Sequence, residues 1–224
     1  MTNVSMIGGA ALAIVAGVRS SGSPRGESML ARISPLGERA RGNRWGLTAG
    51  AYTAGVGGSA ALLGAILGRL GGFLPGGSSG SWLVPAAAVA AGVWDLGARG
   101  PVPGVRRQVN EDWLGRYRGW VYGLGFGAQL GVGFATIVTT AAVYAWMVAA
   151  VLTRDPVAGL LIGACFGLAR AAMLALVHDA DDPERLRARL RTVSSWAGRA
   201  RVGAGAASVV IGAGCAAIVA GGAR

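Results

Sequence analysis

The feature that most constrains this chain is a series of apolar runs, each near the length that a helix needs to cross a bilayer. Crossing the hydrocarbon layer takes about 20 helical residues. Six runs occur, at residues 4–18, 45–70, 82–98, 119–151, 156–177 and 202–220. They are apolar on all sides, whereas a surface helix of a soluble protein is apolar on one side only. The pattern predicts an all-α, polytopic transmembrane helix bundle forming a single domain, in which the long fourth span tilts or protrudes.

Charge is confined to the segments between these runs. Charged residues make up 14% of the chain and the formal net charge is +11. Such a balance in a soluble protein indicates nucleic-acid binding, but here arginine concentrates in the connections at 19–44, 99–118 and 185–201, while 71–81 carries no charge. Positive loops stay in the cytoplasm. We therefore predict a bacterial plasma-membrane protein with both termini outside and no nucleic-acid partner.

The connection before the last span predicts an amphipathic helix at about 182–197. Asp182 suits the N-cap and Pro183 the first helical position. Leu186, Leu190, Val193 and Ala197 share one face, and arginines take the other. Such a helix lies on the membrane surface and is attracted to anionic lipid headgroups on the cytoplasmic side. A solvated, charged linker is the alternative.

Glycine is regularly spaced in two neighbouring spans. The stripes consist of Gly123, Gly127 and Gly131 in span four, and of Gly159, Gly163 and Gly167 in span five. Glycine stripes let helix backbones approach closely. We predict that the two stripes face each other in an antiparallel pair. Short echoes between the two hairpins, such as Gly55-Val-Gly57 and Gly131-Val-Gly133, further suggest that spans two and three repeat as spans four and five.

Three polar residues inside the spans are candidates for a pathway, because ionisable groups are costly in a membrane. They are Asp95 in span three, Gln129 in span four and Arg170 in span five. Asp95 and Arg170 could pair, and such a pair either holds an anionic solute or is a fixed structural ion pair. Gln129 either lines a pathway or ties helices together.

The two cysteines are the only candidates for redox chemistry. Cys165 falls in span five and Cys215 in span six, at depths that would permit a disulfide. They are either a redox pair or two small buried apolar side chains. His178 stands beside Asp179, Asp181 and Asp182, a set better explained by capping the end of span five than by a metal site. No metal and no cofactor are expected.

Residues 109–144, with the sequence VNEDWLGRYRGWVYGLGFGAQLGVGFATIVTTAAVY, resemble small six-span membrane proteins of the cytochrome c biogenesis type. The resemblance implies a thiol–disulfide electron carrier, related in architecture to amino-acid exporters. In that family the reactive cysteines follow prolines in the first and fourth spans, whereas Cys165 and Cys215 lie in spans five and six. No functional residue is therefore carried over.

Two functions compete on this evidence. The first is a small transporter or membrane conduit for a solute or for electrons. The alternative is a non-catalytic membrane subunit or assembly factor whose surfaces contact a membrane-protein partner or a second copy of the chain. Motifs for side-chain catalysis, such as a phosphate loop or HExxH, do not occur in the sequence, so we do not expect an enzyme.

Overall fold

The computed structural model describes residues 2–21, 29–74, 82–97, 102–104, 113–134 and 138–221. Every regular element in these ranges is a helix, which confirms the all-α prediction. The α-helices are α1 (Thr2–Ser21), α2 (Pro35–Ala40), α3 (Trp45–Gly71), α4 (Leu83–Gly97), α5 (Trp113–Arg116), α6 (Gly119–Gly131), α7 (Ala142–Thr153), α8 (Pro156–Ala172) and α9 (Pro183–Gly221). A 3-10 helix, Met173–Val177, prolongs α8. Most of the uncharged loop 71–81 and of the basic segment 99–112 lies outside the described residues.

Four of the described helices are long and apolar enough to cross a membrane. They are Asn3–Ser21, Trp45–Gly71, Pro156–Val177 and Pro183–Gly221. Leu83–Gly97 and Ala142–Thr153 are apolar but shorter. The chain is therefore a membrane helix bundle, in which two of the six predicted spans have no single helix of full length.

The fourth predicted span is not one helix, contrary to expectation. Helix α6 ends at Gly131 and α7 begins at Ala142. Gly133 adopts φ +71° just after α6, a left-handed conformation that commonly ends a helix at glycine. The next residues include five consecutive β-branched side chains, at 136–140, and β-branched residues have low helix propensity. The left-handed glycine and the β-branched residues together explain why the helix is interrupted between α6 and α7, although the segment is apolar throughout.

The two glycine stripes do not face each other; both face α3. A Cβ added at Gly127 would lie 2.3 Å from the carbonyl oxygen of Tyr52, and one at Gly163 would lie 2.0 Å from that of Ala60. Along the stripes α6 runs parallel to α3 and α8 runs antiparallel to it. Helix α3 adds glycines of its own, since a Cβ at Gly64 would lie 2.0 Å from the oxygen of Gly159. The predicted pairing of spans four and five is therefore wrong, because α3 offers a small-residue face to both.

The helices of the bundle make extensive contacts with one another. Helix α1 packs on α7 and α8, α3 on α6 and α8, and α4 on α9. Helices α4 and α9 run antiparallel, since a Cβ at Gly92 would lie 2.6 Å from the Gly205 oxygen and one at Gly212 would lie 2.9 Å from the Pro85 oxygen. Val151, near the end of α7, contacts Gly71 at the end of α3, so α6 and α7 follow one another along α3. The predicted repeat of the two hairpins stays a prediction.

The predicted surface helix and the last span form one continuous helix, α9, of 39 residues. Asp182 caps it, accepting a hydrogen bond from the Arg185 amide at 2.8 Å, as predicted. At 1.5 Å per residue α9 is roughly 58 Å long, about twice the hydrocarbon thickness. Leu186, Leu190 and Val193 pack against a cluster of the protein's own residues that includes Ile33 and Val177. The apolar face that we expected to lie on lipid is therefore covered in part by protein, with Val193 buried and Leu186 and Leu190 partly exposed.

Candidate functional site

Asp95 caps α7, the second of the two helices in the fourth predicted span. Its carboxylate accepts hydrogen bonds from the Thr140 hydroxyl at 2.5 Å and from the Ala141 amide at 2.9 Å. The side chain is only 6% exposed, and Arg19 on α1 interacts with it electrostatically. The first N–H groups of a helix have no partner within the helix, and its N-terminus carries partial positive charge. The carboxylate therefore supplies both a hydrogen-bond acceptor and the complementary charge.

Arg170 lies in the last turn of α8 and is 9% exposed. Its guanidinium lies 6.0 Å from the centre of the Phe166 ring and interacts electrostatically with the Tyr52 side chain on α3. The structure does not pair it with Asp95. The negative end of a helix stabilises a cation by about 0.3–1 kcal/mol, whereas removing an ion from water costs several kcal/mol. The helix end and a neutral phenol therefore offset only part of the burial of this charge.

Gln129 lies on α6, which packs mainly on α3, and it is partly exposed. Asp95 lies on α4 and Arg170 on α8. A pathway lined by these three polar residues stays a prediction.

A buried carboxylate that the sequence analysis did not select is Glu38, on the short helix α2. It is fully buried. Its oxygens accept hydrogen bonds from the Thr48 hydroxyl at 2.8 Å, from Arg41 at 2.5 Å, and from the Tyr122 hydroxyl. Burial lowers the pKa of Arg41, but the hydrogen bonds with Glu38 and Tyr122 outweigh this and hold its pKa above the usual value.

Glu38 stands where two parallel helices begin. Helices α3 and α6 start side by side, so their positive ends lie together. A Cβ at Gly119, the first residue of α6, would lie 2.4 Å from the Thr48 hydroxyl and 3.1 Å from a Glu38 oxygen. Only glycine leaves room for this carboxylate. The detectable sequence signal was Ser34-Pro35, because a serine N-cap followed by proline predicts a helix in a segment that we had treated as a loop.

The two cysteines are free thiols on different helices. Cys215 on α9 is buried against α1, since a Cβ at Gly8 would lie 2.7 Å from its sulfur. Cys165 on α8 is partly buried and packs against the cluster around Trp146 and Phe166. The redox pair remains a prediction.

The chain is similar to bacterial proteins named for methylamine utilization. It is 33% identical over 199 residues to methylamine utilization protein MauF of Methylorubrum extorquens, an alignment covering 86% of this chain and 67% of the relative. The MauF proteins of Paracoccus denitrificans and Methylophilus methylotrophus are 34% and 30% identical, over 71% and 74% of this chain and 60% of each relative. The chain belongs to the MauF family. No family model and no solved structure matches it.

The chain spans about 60–67% of the length of these MauF relatives. The chain is therefore assigned to the MauF family and not to the cytochrome c biogenesis family that residues 109–144 resemble. The prediction that it is a membrane protein is unchanged. All of these MauF relatives are bacterial, in agreement with a bacterial membrane protein.

The acidic residues at the start of α9 bind arginines in this MauF-family chain. Asp179 pairs with Arg189 at 2.5 Å, and Asp181 pairs with Arg185 at 2.9 Å. His178 Nδ1 lies 2.7 Å from the Ala175 carbonyl oxygen. Within the described ranges, no group of three or more histidine, cysteine or acidic side chains is placed to hold a metal ion.

Proposed function

We propose that this chain is a non-catalytic membrane accessory or assembly protein that acts in methylamine utilization. The observation that carries the proposal is the similarity to MauF over 86% of this chain. Membership of the MauF family indicates methylamine utilization as the process, and the helix bundle indicates a membrane as the location.

The described site supports an accessory role over a transporter. Glu38 and Asp95 bind hydroxyls and amides at helix beginnings, where they stabilise the fold. A solute pathway instead needs polar groups that converge near the middle of the membrane. The groups that bind Asp95 are the Thr140 hydroxyl and the Ala141 amide at the start of α7, which a helix cap explains without a solute.

We further propose six crossings, with α6 and α7 sharing the fourth and with both termini outside. Contacts along the bundle support alternation of direction through α1, α3, α4, the α6–α7 pair, α8 and α9. The arginines of 19–44 and 185–201 then lie on the cytoplasmic side, in agreement with the positive-inside rule. Lipid and a membrane-protein partner are the contacts that such a protein requires.

A membrane conduit is the second candidate, and one observation favours it. Broken helices line substrate sites in many transporters, and here Asp95 lies at the break between α6 and α7. An Asp95→Asn variant separates the two roles. Asparagine retains an acceptor for the cap but carries no charge, so an accessory protein keeps its function, whereas a conduit that uses the charge loses it.

The direct test is disruption of the gene in the bacterium that carries it, followed by growth with methylamine or succinate as the carbon source. We expect growth on methylamine to fail and growth on succinate to continue. The wild-type gene and the Asp95→Asn variant should both restore growth. Normal growth of the disrupted strain on methylamine would contradict the proposed process.

A further inference from the structure

The length of α9 carries its first turns past the lipid headgroups. The helix is continuous over 39 residues, roughly 58 Å at 1.5 Å per residue, and the hydrocarbon layer is about 30 Å thick. Even a tilt of about 40°, the largest usual for a crossing helix, leaves roughly 14 Å of it outside that layer. The headgroups on one side of a bilayer occupy only about 5–8 Å, so the start of α9 lies in water.

Trp196 marks the headgroup level on α9. It precedes Val202, where the predicted span begins, by six residues, and it is 48% exposed. Tryptophan is enriched at the membrane–water interface. Arg191 and Arg187 precede Trp196 by five and nine residues, which is roughly 7.5 and 13.5 Å along the helix. Side chains on a helix tilt toward its N-terminus, so both guanidiniums point away from the lipid phosphates.

The two arginines belong to one exposed stripe of α9, which we call the arginine face. Its residues are spaced four, three and four apart, and all are exposed: Arg187, Arg191, Ser194 and Gly198. Arg185 and Arg189 pair with aspartates at 2.9 and 2.5 Å, whereas no carboxylate of the described residues forms an ion pair with Arg187 or Arg191. Like charges four residues apart destabilise a helix, and an acidic partner would remove this repulsion.

We propose that the arginine face binds an acidic segment of a partner protein in the cytoplasm. Carboxylates complement its charge, and complementary charge selects partners and speeds their association. Nothing lies within 4 Å of a Cβ at Gly198, so a partner can approach the helix closely there. The apolar face of α9 already packs on the protein's own cluster, which leaves the arginine face for the partner. The inference rests on the proposed accessory role and adds the chemistry of the partner.

The test is photo-crosslinking of the full chain in its own bacterium. A photoreactive phenylalanine derivative is placed at Ser194 on the arginine face or, as the matched control, at Thr192. Thr192 is also exposed but points to the other side of the helix. Cells grow on succinate with methylamine present, so that growth does not depend on methylamine utilization. We expect an adduct from Ser194 with one protein, through a peptide rich in aspartate and glutamate, and no such adduct from Thr192.

Charge reversal assigns the adduct to the arginines. Arg187→Glu combined with Arg191→Glu should lower the adduct yield, per chain in the membrane, about tenfold or more, because like charges then face each other. Arg39→Glu combined with Arg44→Glu changes the net charge equally at exposed positions and should leave the yield unchanged. Acidic residues of the captured peptide, changed to arginine, should restore the adduct in the Arg187, Arg191 variant. If that variant does not accumulate, Arg187→Gln alone should still lower the yield about twofold or more.

Three results would overturn the proposal. The first is the absence of a protein adduct from Ser194, and the second is an adduct with phospholipid alone, which would place the arginine face on headgroups. The third is a protein adduct that charge reversal leaves unchanged or that reversal in the partner does not restore. The adduct is read independently of growth on methylamine, so failure of the gene-disruption test would reject the process without deciding this interface.

Discussion

At the scale of single residues, four acidic side chains bind at helix beginnings in the described part of the chain. Glu38 binds at the starts of α3 and α6, Asp95 at the start of α7, Asp155 at the start of α8 and Asp182 at the start of α9. Each accepts hydrogen bonds from donors at the positive end of a helix. Glu38 and Asp95 are buried, so their donors are shielded from water and these two contribute more to stability than the exposed caps.

Glu38→Ala should lower the free energy of unfolding by about 3 kcal/mol, because removing one partner of a buried ion pair leaves the other uncompensated. The measurement is thermal or denaturant unfolding of the purified protein in detergent. Glu184→Ala, which removes an exposed acid at the start of α9, is the control and should change stability little. Equal stabilities of the two variants would contradict the structural role of Glu38.

The ion pair of Asp179 should make the stability of the protein depend on pH. Its hydrogen bond with Arg189 lowers the pKa of Asp179 below the usual 3.8, although desolvation acts in the opposite direction. A lowered folded-state pKa stabilises the protein above pH 3.8, and this contribution is lost as the pH falls through the folded-state value. The difference in unfolding temperature between the wild type and Asp179→Asn should therefore be constant above about pH 5 and shrink below pH 4. A difference that persists unchanged at lower pH would exclude this ion pair as its source.

At the scale of elements, α3 is the helix on which α6, α7 and α8 pack, because its glycines have no side chains to keep neighbouring backbones away. Its glycines meet the backbones of α6, α7 and α8 at distances that exclude a Cβ. Such approach replaces hydrophobic burial as the source of helix association in lipid. The stripes in α6 and α8 were visible in the sequence, but spacing alone does not say which helix a stripe faces.

A matched pair of glycines in α3 tests this packing. A Cβ at Gly64 would lie 2.0 Å from the Gly159 oxygen, whereas nothing lies within 4 Å of a Cβ at Gly58. Gly64→Ala should destabilise the protein by about 1–3 kcal/mol through overpacking. Gly58→Ala should be neutral or stabilising by up to about 1 kcal/mol, because alanine favours the helix. The same effect at both positions would mean that α3 and α8 do not pack as described.

Loss of the Asp95 cap at the start of α7 should also lower the stability of the protein. Asp95→Ala should cost about 1–2 kcal/mol of stability, and Asp95→Asn should cost less, because asparagine is also a good N-cap residue. Unfolding in detergent measures both. Equal losses in Asp95→Asn and Asp95→Ala would show that the charge, through its interaction with Arg19, outweighs the cap.

At the scale of the whole molecule, the proposed topology has six crossings that alternate in direction, with the arginine-rich segments 19–44 and 185–201 on one side. Single cysteines introduced into a variant that lacks Cys165 and Cys215 test this topology with a membrane-impermeant thiol reagent. A cysteine at Gly72, at the end of α3, should react in intact cells, and one at Ser194, in the exposed part of α9, should react only after permeabilisation. The reverse pattern would invert the proposed orientation, and labelling of both in intact cells would contradict six crossings.

The sequence by itself determined the membrane helix bundle, the segments that carry its arginines and the cap at Asp182. These features depend on hydropathy, charge and neighbouring residues, which are local properties of the chain. Only the tertiary structure decided that α3 receives both glycine stripes, that the fourth predicted span breaks beside Asp95, and that Glu38 is buried. Each of these depends on residues far apart in sequence meeting in space, as Glu38 meets Tyr122 and Asp95 meets Thr140. Composition and spacing do not predict these contacts, because glycine and apolar residues in lipid favour close packing without specifying which helix is the partner.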